Sequence, residues 1–219
     1  DALPIYGIRC FAKYIAEQNV IGEVSEELAI ETGVGVLTVV FTRSHTGIEA
    51  FRVSMGEPIF QPERIPLITD KPEPILDLKI SVEGTDMELS CVSMGNPHAV
   101  HFSEQPVETF PILQIGPKVE HHEIFPKRVN FHVAHVKNSS TIDQVVWERG
   151  AGPTLACGSG GCASVVAAQL KGLVGKKVDV NLPGGTLTYT WDGETDVWME
   201  GPVETTYLGE WLGNIQVQN

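Results

Sequence analysis

The sequence lacks any apolar run long enough to span a membrane, and it is poor in basic residues. Its 15 lysines and arginines stand against 28 aspartates and glutamates, so the formal net charge is −13 at pH 7. Nucleic acid and anionic membrane surfaces repel a chain with this charge, which argues against either as a partner. The acidic surface alone indicates no other partner, because excess charge usually serves solubility.

Cysteine is also scarce, with four residues whose spacing matches neither a disulfide framework nor a zinc finger. Cys157 and Cys162 are separated by four residues, and no other cysteine or histidine pair has zinc-finger spacing. We therefore expect no metal site and a reducing, cytoplasmic environment. The 219 residues are enough for one large domain or for two of about 100 residues each.

One glycine-rich segment, residues 147–171, stands out in the remaining sequence. The residues up to Trp147 are β-branched or aromatic and predict the end of a strand, and residues 163–170 predict a buried helix that stops at Gly172. The turn between them places Cys157 just before the helix. Free N–H groups and the positive end of the helix dipole meet there, so we expect a reactive thiol with a depressed pKa and a site that can hold a carboxylate. We expect Cys10, Cys91 and Cys162 to be packed and inert.

The chain contains an internal repeat of a helix followed by strands. The helix after Gly7 matches the helix after Gly160, and the turn at residues 32–38 matches the turn at residues 183–188. Strands are expected at residues 27–31, 34–42 and 49–54 in the first copy and near residues 177–182, 186–191 and 196–200 in the second. A proline-rich stretch, residues 61–74, predicts a linker or surface loop, and residues 106–113 predict only a weak helix. Two copies of one β-rich unit favour a ligand site between them, near both helix starts.

Seven motifs in a fixed order resemble diaminopimelate epimerase and span nearly the whole chain. They are Gly-Ile-Arg-Cys10-Phe-Ala, Val53-Ser-Met-Gly-Glu-Pro58, Val92-Ser-Met-Gly-Asn-Pro-His98, Phe125-Pro-Lys-Arg-Val-Asn130, Glu148-Arg-Gly-Ala-Gly152, Ala156-Cys-Gly-Ser-Gly160 and Leu182-Pro-Gly-Gly185.

The resemblance implies an α+β fold of two pseudo-symmetric, barrel-like domains, each around a central helix. We assign the first domain, which is incomplete, to residues 1–58 plus 206–219 and the second to residues 59–205. The resemblance further implies a homodimer, no cofactor such as pyridoxal phosphate, and a small-molecule substrate. The implied reaction interconverts LL- and meso-diaminopimelate, for lysine and cell-wall synthesis, by proton transfer between two thiols.

The resemblance also assigns roles to individual residues. Cys157 matches one of the two thiols, and Glu148 and His98 match groups that assist its deprotonation. The substrate-binding positions match six residues: Asn96, Asn130, Glu148, Arg149, Gly158 and Ser159.

One departure from the family pattern concerns the second thiol. The family's Cys-Gly-Asn-Gly before the first helix stands here as Pro4-Ile-Tyr-Gly7. Since the chain starts with Asp1, we expect that about 70 leading residues and that cysteine are missing, judged from the size of a domain. Without them we expect at most α-proton exchange from one face, without inversion.

Three alternatives to the diamino acid reading remain open. The chain could be another cofactor-independent isomerase of this fold, of the proline racemase or phenazine-pathway kind. Pro4 favours a non-catalytic amino-acid-binding remnant. A cysteine hydrolase is the weakest hypothesis, because the sequence offers no clear histidine and acidic residue as catalytic partners for Cys157.

Overall fold

In the computed structural model, residues 5–18, 20–22, 26–32, 35–44 and 47–209 are described. They form an α+β fold, as expected, with most strands in one mixed sheet. No helix in these ranges combines the length and the apolar character that a membrane crossing needs.

The first unit consists of helix α1 (Ile5–Gln18) and strands β1 (Glu27–Thr32), β2 (Gly35–Ser44) and β3 (Gly47–Ser54). Its counterpart consists of helix α3 (Gly158–Leu170) and strands β10 (Lys177–Leu182), β11 (Gly185–Thr190) and β12 (Trp198–Gly201). The hairpins match closely, because Thr32 pairs with Gly35 in one and Leu182 with Gly185 in the other. The predicted repeat is therefore present.

The two units meet at the antiparallel pair β3–β12, which gives the strand order β1-β2-β3-β12-β11-β10. This order is symmetric about its middle. β10 then pairs with β8 in parallel, and the sheet continues through the strands of the middle region.

The middle region carries the remaining elements. Its strands are β4 (Leu78–Val82), β5 (Thr85–Ser93), β6 (Pro97–Phe102), β7 (Asn130–Asn138), β8 (Thr141–Glu148) and β9 (Gly152–Thr154), with helix α2 (Ile112–Glu120) and 3₁₀ turns Pro62–Arg64 and Val107–Thr109. Thus the weak helix expected at residues 106–113 is wrong in position, since the α-helix runs from Ile112 to Glu120. The short strand β9 was not expected.

Two apolar cores cover the two faces of the middle strands. α3, every residue of which is buried from Gly158 to Ala168, packs on one face. α2 and the proline-rich loop cover the other face, where Ile65, Leu67 and Ile75 are buried. The loop expected at residues 61–74 is therefore anchored in a core rather than free on the surface.

The division into domains at residues 58 and 206 stays a prediction. The larger core joins residues from both parts, among them Phe51, Val53, Val180 and Met199. The described residues after 205 contain no helix or strand, and residues 210–219 lie outside the described range.

Candidate functional site

The predicted site residues come together at one edge of the sheet. β6 and β7 run parallel, with His98 opposite Asn130, whereas β8 runs antiparallel to β7. The starts of β6 and β7 therefore lie beside the end of β8, which carries Glu148. α3 begins close to this edge, because a Cβ on Gly160 would lie 2.1 Å from the His132 ring.

Cys157 is the N-cap residue of α3, as its position before the predicted helix suggested. The hydrogen bonds of the helix begin with Gly161 N–H donating to the Cys157 carbonyl at 3.0 Å. The N–H groups of Gly158 and Ser159 therefore face out of the helix end, where the helix dipole favours a negative group. The Ser159 hydroxyl lies 3.8 Å from the Cys157 sulfur.

The expected depressed pKa of Cys157 is wrong for this structure. Burial, at 6 % exposure, and the neighbouring Glu148 carboxylate raise the pKa of the thiol to about 12. Hydrogen bonds from the Gly160 N–H and the Ser159 hydroxyl act in the expected, lowering direction but are outweighed. Desolvation disfavours the thiolate more than the helix start favours it, so Cys157 is a protonated thiol at neutral pH.

The other cysteines differ in exposure. Cys91 and Cys162 are buried, and burial raises the pKa of Cys91 to about 12. Cys10 is exposed, so the expectation that it is packed is wrong. Its position on α1 faces outward because Ile8, Ala12 and Ala16 form the buried stripe of that helix.

Glu148 is the last residue of β8, and Arg149 begins the turn that follows. The Thr154 hydroxyl of β9 donates to Glu148 and fixes its carboxylate beside Cys157. Arg149 is exposed, and its guanidinium donates to the Lys127 carbonyl at 3.2 Å. An exposed guanidinium can bind a carboxylate of a ligand with two parallel hydrogen bonds.

Asn96 and Asn130 differ in how free their amides are. Asn130 is buried, and both ends of its amide are engaged: Nδ2 donates to the Pro97 carbonyl at 2.8 Å, and Oδ1 accepts from the Arg149 N–H at 2.9 Å. Asn130 thus ties β6 to the Arg149 turn. Asn96 is half-buried, and its Oδ1 lies 2.9 Å from His98 Nε2. Their substrate-binding roles stay predictions.

His98 belongs to a buried polar chain that the sequence did not reveal. Its Nδ1 lies 2.9 Å from His132 Nε2, and His132 Nδ1 lies 3.1 Å from the Gln144 amide. Burial, His132 and Arg149 hold the pKa of His98 well below its ordinary value, and burial lowers that of His132 to about 3. Both imidazoles are therefore neutral.

The two neutral histidines and Cys157 form a possible metal site, because a neutral imidazole has a free lone pair on one nitrogen. One donor atom each from His98, His132 and Cys157 lie within 4.8 Å of one another. The expectation that no metal site is present came from spacing along the chain, which cannot detect donors that three separate segments bring together. Pro4, the residue that the repeat aligned with Cys157, lies outside the described residues.

Comparison with known proteins places these residues in a family. The diaminopimelate epimerase family model matches residues 90–206, which include every predicted site residue. A diaminopimelate epimerase of Desulfitobacterium hafniense is 42 % identical over 203 residues, covering 93 % of this chain and 70 % of that protein.

The chain belongs to the diaminopimelate epimerase family. Its fold is shared more widely. A Pseudomonas aeruginosa protein described as a predicted epimerase superposes with a TM-score of 0.63 at 14 % identity, covering 93 % of this chain and 72 % of that one. A hydroxyproline epimerase of Agrobacterium vitis gives a TM-score of 0.62 at 14 % identity, covering 88 % of this chain and 61 % of that one.

Proposed function

We propose that this chain belongs to a cofactor-independent isomerase that interconverts the stereoisomers of diaminopimelate, and that Cys157 is one of its two proton-transferring groups. The observation that carries the proposal is the position of Cys157 at the start of α3, with Glu148 beside it and Arg149 at the same edge. Family membership supports the substrate, because the relative at 42 % identity is a diaminopimelate epimerase.

The reaction requires an α-proton to leave one face of the substrate and a proton to arrive on the other. Cys157 carries a proton and can deliver it to the α-carbon, after which the sulfur is a thiolate that can remove a proton in the reverse direction. The N–H groups of Gly158 and Ser159 would hold the α-carboxylate, where negative charge develops as the α-proton leaves. Glu148 and His98 border the thiol and receive or return its proton.

Recognition of a diamino diacid needs a second carboxylate site. We propose that Arg149 binds the distal carboxylate, while Asn96 and Asn130 hold the distal amino-acid end directly or through the Arg149 turn. A family member that acted on a smaller amino acid would have no use for this exposed guanidinium, so Arg149 favours diaminopimelate over proline-like substrates.

The test measures deuterium incorporation at the α-carbon of diaminopimelate in D₂O by NMR, and inversion by chiral chromatography. We expect the parent chain to catalyse exchange from one face, without inversion. Cys157→Ser should reduce the exchange rate by at least about 100-fold, because general acid–base groups contribute about 10²–10⁴-fold. Cys10→Ser should exchange at the parent rate. Exchange that is equal in the parent and in Cys157→Ser contradicts the proposal, as does a parent chain that shows no exchange.

The cellular location and the oligomeric state of the protein are also proposals. We infer a cytoplasmic homodimer that acts in lysine and peptidoglycan-precursor synthesis. Four free cysteines fit a reducing compartment, and the outward side chains of Phe11 and Tyr14, about half exposed or more, offer apolar surface for a second copy. Sedimentation equilibrium at micromolar concentration would contradict the dimer if it gave the mass of one chain.

A further inference from the structure

His98, His132 and Cys157 form a compact set of nitrogen and sulfur donors, here called the His-His-Cys cluster. One donor atom from each lies within 4.8 Å of the others, and the three residues are 0 %, 0 % and 6 % exposed. They come from β6, β7 and the N-cap of α3. Two imidazoles and a thiolate are a donor set that zinc and similar thiophilic ions prefer.

The neighbours of the cluster hold the orientation of both imidazole rings in the way that is usual around a bound metal. A metal-binding histidine usually donates its outer N–H to an oxygen, which sets the tautomer and aims the inner nitrogen. His98 Nε2 lies 2.9 Å from Asn96 Oδ1, and His132 Nδ1 lies 3.1 Å from the Gln144 amide. The inner nitrogens, His98 Nδ1 and His132 Nε2, are then 2.9 Å apart.

Gln144 can supply the oxygen that His132 needs. The amide nitrogen is the atom next to His132, while Gln144 Oε1 is buried and has no hydrogen-bond partner within the described residues. Rotating the Gln144 amide by 180° places Oε1 next to His132 Nδ1. The rotation breaks no hydrogen bond to Oε1, because Oε1 has none within the described residues. Both rings then donate outward and present free lone pairs inward.

The distances are close to those that a tetrahedral ion requires. Zn–N and Zn–S bonds of about 2.0–2.1 and 2.3 Å place neighbouring donors about 3.3–3.6 Å apart. The donors observed within 4.8 Å therefore need shifts of about 1 Å. His132 is held against the start of α3, because a Cβ on Gly160 would lie 2.1 Å from its Cε1, so the ring stays near Cys157.

We propose that the His-His-Cys cluster binds one thiophilic divalent cation of the zinc class and that the bound ion blocks the Cys157 sulfur. Binding forms a metal–sulfur bond, breaks the S–H bond and releases that proton to solvent, with no change in oxidation state. Glu148, whose carboxylate borders the thiol, supplies negative charge close to the bound cation. The inference concerns a ligand that excludes substrate, so it stands apart from the proposed epimerase activity.

Cobalt(II) is the probe, because a cobalt–thiolate bond gives a near-ultraviolet charge-transfer band. The chain carries Cys10→Ser, since Cys10 is exposed and any exposed thiol adds its own cobalt–thiolate signal. We expect the band to saturate at one cobalt per chain, to disappear when zinc displaces cobalt, and to accompany the release of one proton by calorimetry in two buffers. A titration without the band overturns the proposal.

Three variants identify the ligands, with circular dichroism confirming that each is folded. Cys157→Ser should lose the band, and His132→Asn should weaken binding more than about 100-fold. Gln144→Leu keeps the size of the side chain but removes the oxygen for His132, and should weaken binding about 10–100-fold. His121→Asn, at an exposed histidine, should bind as the parent does. A band that survives Cys157→Ser, or parent-like affinity in both His132→Asn and Gln144→Leu, contradicts the assignment.

Discussion

At the scale of single residues, the carboxylate of Glu120 at the end of α2 organises the turn that carries Glu148 and Arg149. Trp147 Nε1 donates to one oxygen at 2.7 Å, and the Gly150 N–H donates to the other at 2.9 Å. Glu120 is only 3 % exposed. These two donors flank Glu148 and Arg149, so Glu120 fixes the position of both without touching them.

Glu120→Gln should destabilise the chain by about 1–3 kcal/mol, because the amide keeps only one oxygen and leaves a buried donor without a partner. Burial by itself raises the pKa of Glu120, but the hydrogen bonds from Trp147 and Gly150, with His121 and Arg128, lower it below its ordinary value of 4.5. The stabilisation is therefore present above the unfolded-state pKa and is lost as pH falls through the lower, folded-state pKa.

Urea unfolding of the parent and Glu120→Gln as a function of pH measures this effect. The difference in unfolding free energy should be constant above about pH 5.5 and shrink below about 4.5. Glu123→Gln, at an exposed glutamate in the next loop, should match the parent throughout. An equal midpoint for Glu120→Gln and the parent at pH 7 would show that the carboxylate is dispensable.

The contrast between Cys157 and His132 shows how far single residues can be predicted. The position of Cys157 follows from local sequence, since a strand, a glycine-rich turn and a buried helix fix it. Its pKa does not, because desolvation depends on every element that covers the thiol. His132 had a weak signal: it lies two residues after Asn130 on a strand, so both share one face. The contact between His132 and His98 depends on the parallel register of β6 and β7, and no local sequence pattern predicts that register.

At the scale of elements, the starts of α1 and α3 are equivalent in the repeat but differ in packing. A Cβ on Gly160 would lie 2.1 Å from His132 Cε1, whereas a Cβ on Gly7 would meet no atom of the described residues within 4 Å. The sequence indicated that glycine here allows a close approach. The structure shows that the approaching groups include the chain's own side chains, His132 at Gly160 and Tyr189 at Gly161.

Gly160→Ala and Gly7→Ala therefore should have opposite effects. Alanine favours a helix over glycine by up to about 1 kcal/mol, and Gly7→Ala should gain part of that. Gly160→Ala should lose about 1–3 kcal/mol, because its methyl group overlaps a fully buried ring. Thermal and urea unfolding measure both. Equal stabilisation of the two variants would mean that His132 moves away from α3 at little cost.

Helices and strands differed in how well their patterns predicted them. The strands of both units were predicted to within a few residues, because β-branched runs and glycine turns mark them. α2 was misplaced, since Pro111 precedes it and Gly116-Pro117 lies inside it. Tertiary packing overrides that signal: Ile115 and Val119 enter the second core, and Trp147 packs over Gly116 where a Cβ would lie 2.7 Å from its ring.

At the scale of the whole molecule, the repeat units and the middle region share one sheet and one central helix. α3 contacts β5, β6 and β7 on one side and β11 and β12 on the other. The larger core runs from α1 through β3 and α3 to β12. The second core, between the middle strands and α2, is separate from it but uses the opposite face of the same strands.

We therefore expect the described regions to unfold in a single cooperative transition. Val53 in β3 and Val133 in β7 test this, because both are 0 % exposed and lie in different cores. Val53→Ala and Val133→Ala remove the same two methyl groups and should each lower the free energy of unfolding by about 1.5–3 kcal/mol.

Each variant should shift the urea midpoint by the same amount whether it is measured by circular dichroism or by tryptophan fluorescence. Trp191 packs against the first core and Trp147 against the second, so fluorescence reports on both. If, in variants that keep only Trp147 or only Trp191, Val133→Ala displaced the midpoint reported by Trp147 while the midpoint reported by Trp191 stayed unchanged, the two cores would be independent folding units. A boundary between separately stable domains would then follow the cores and not the repeat.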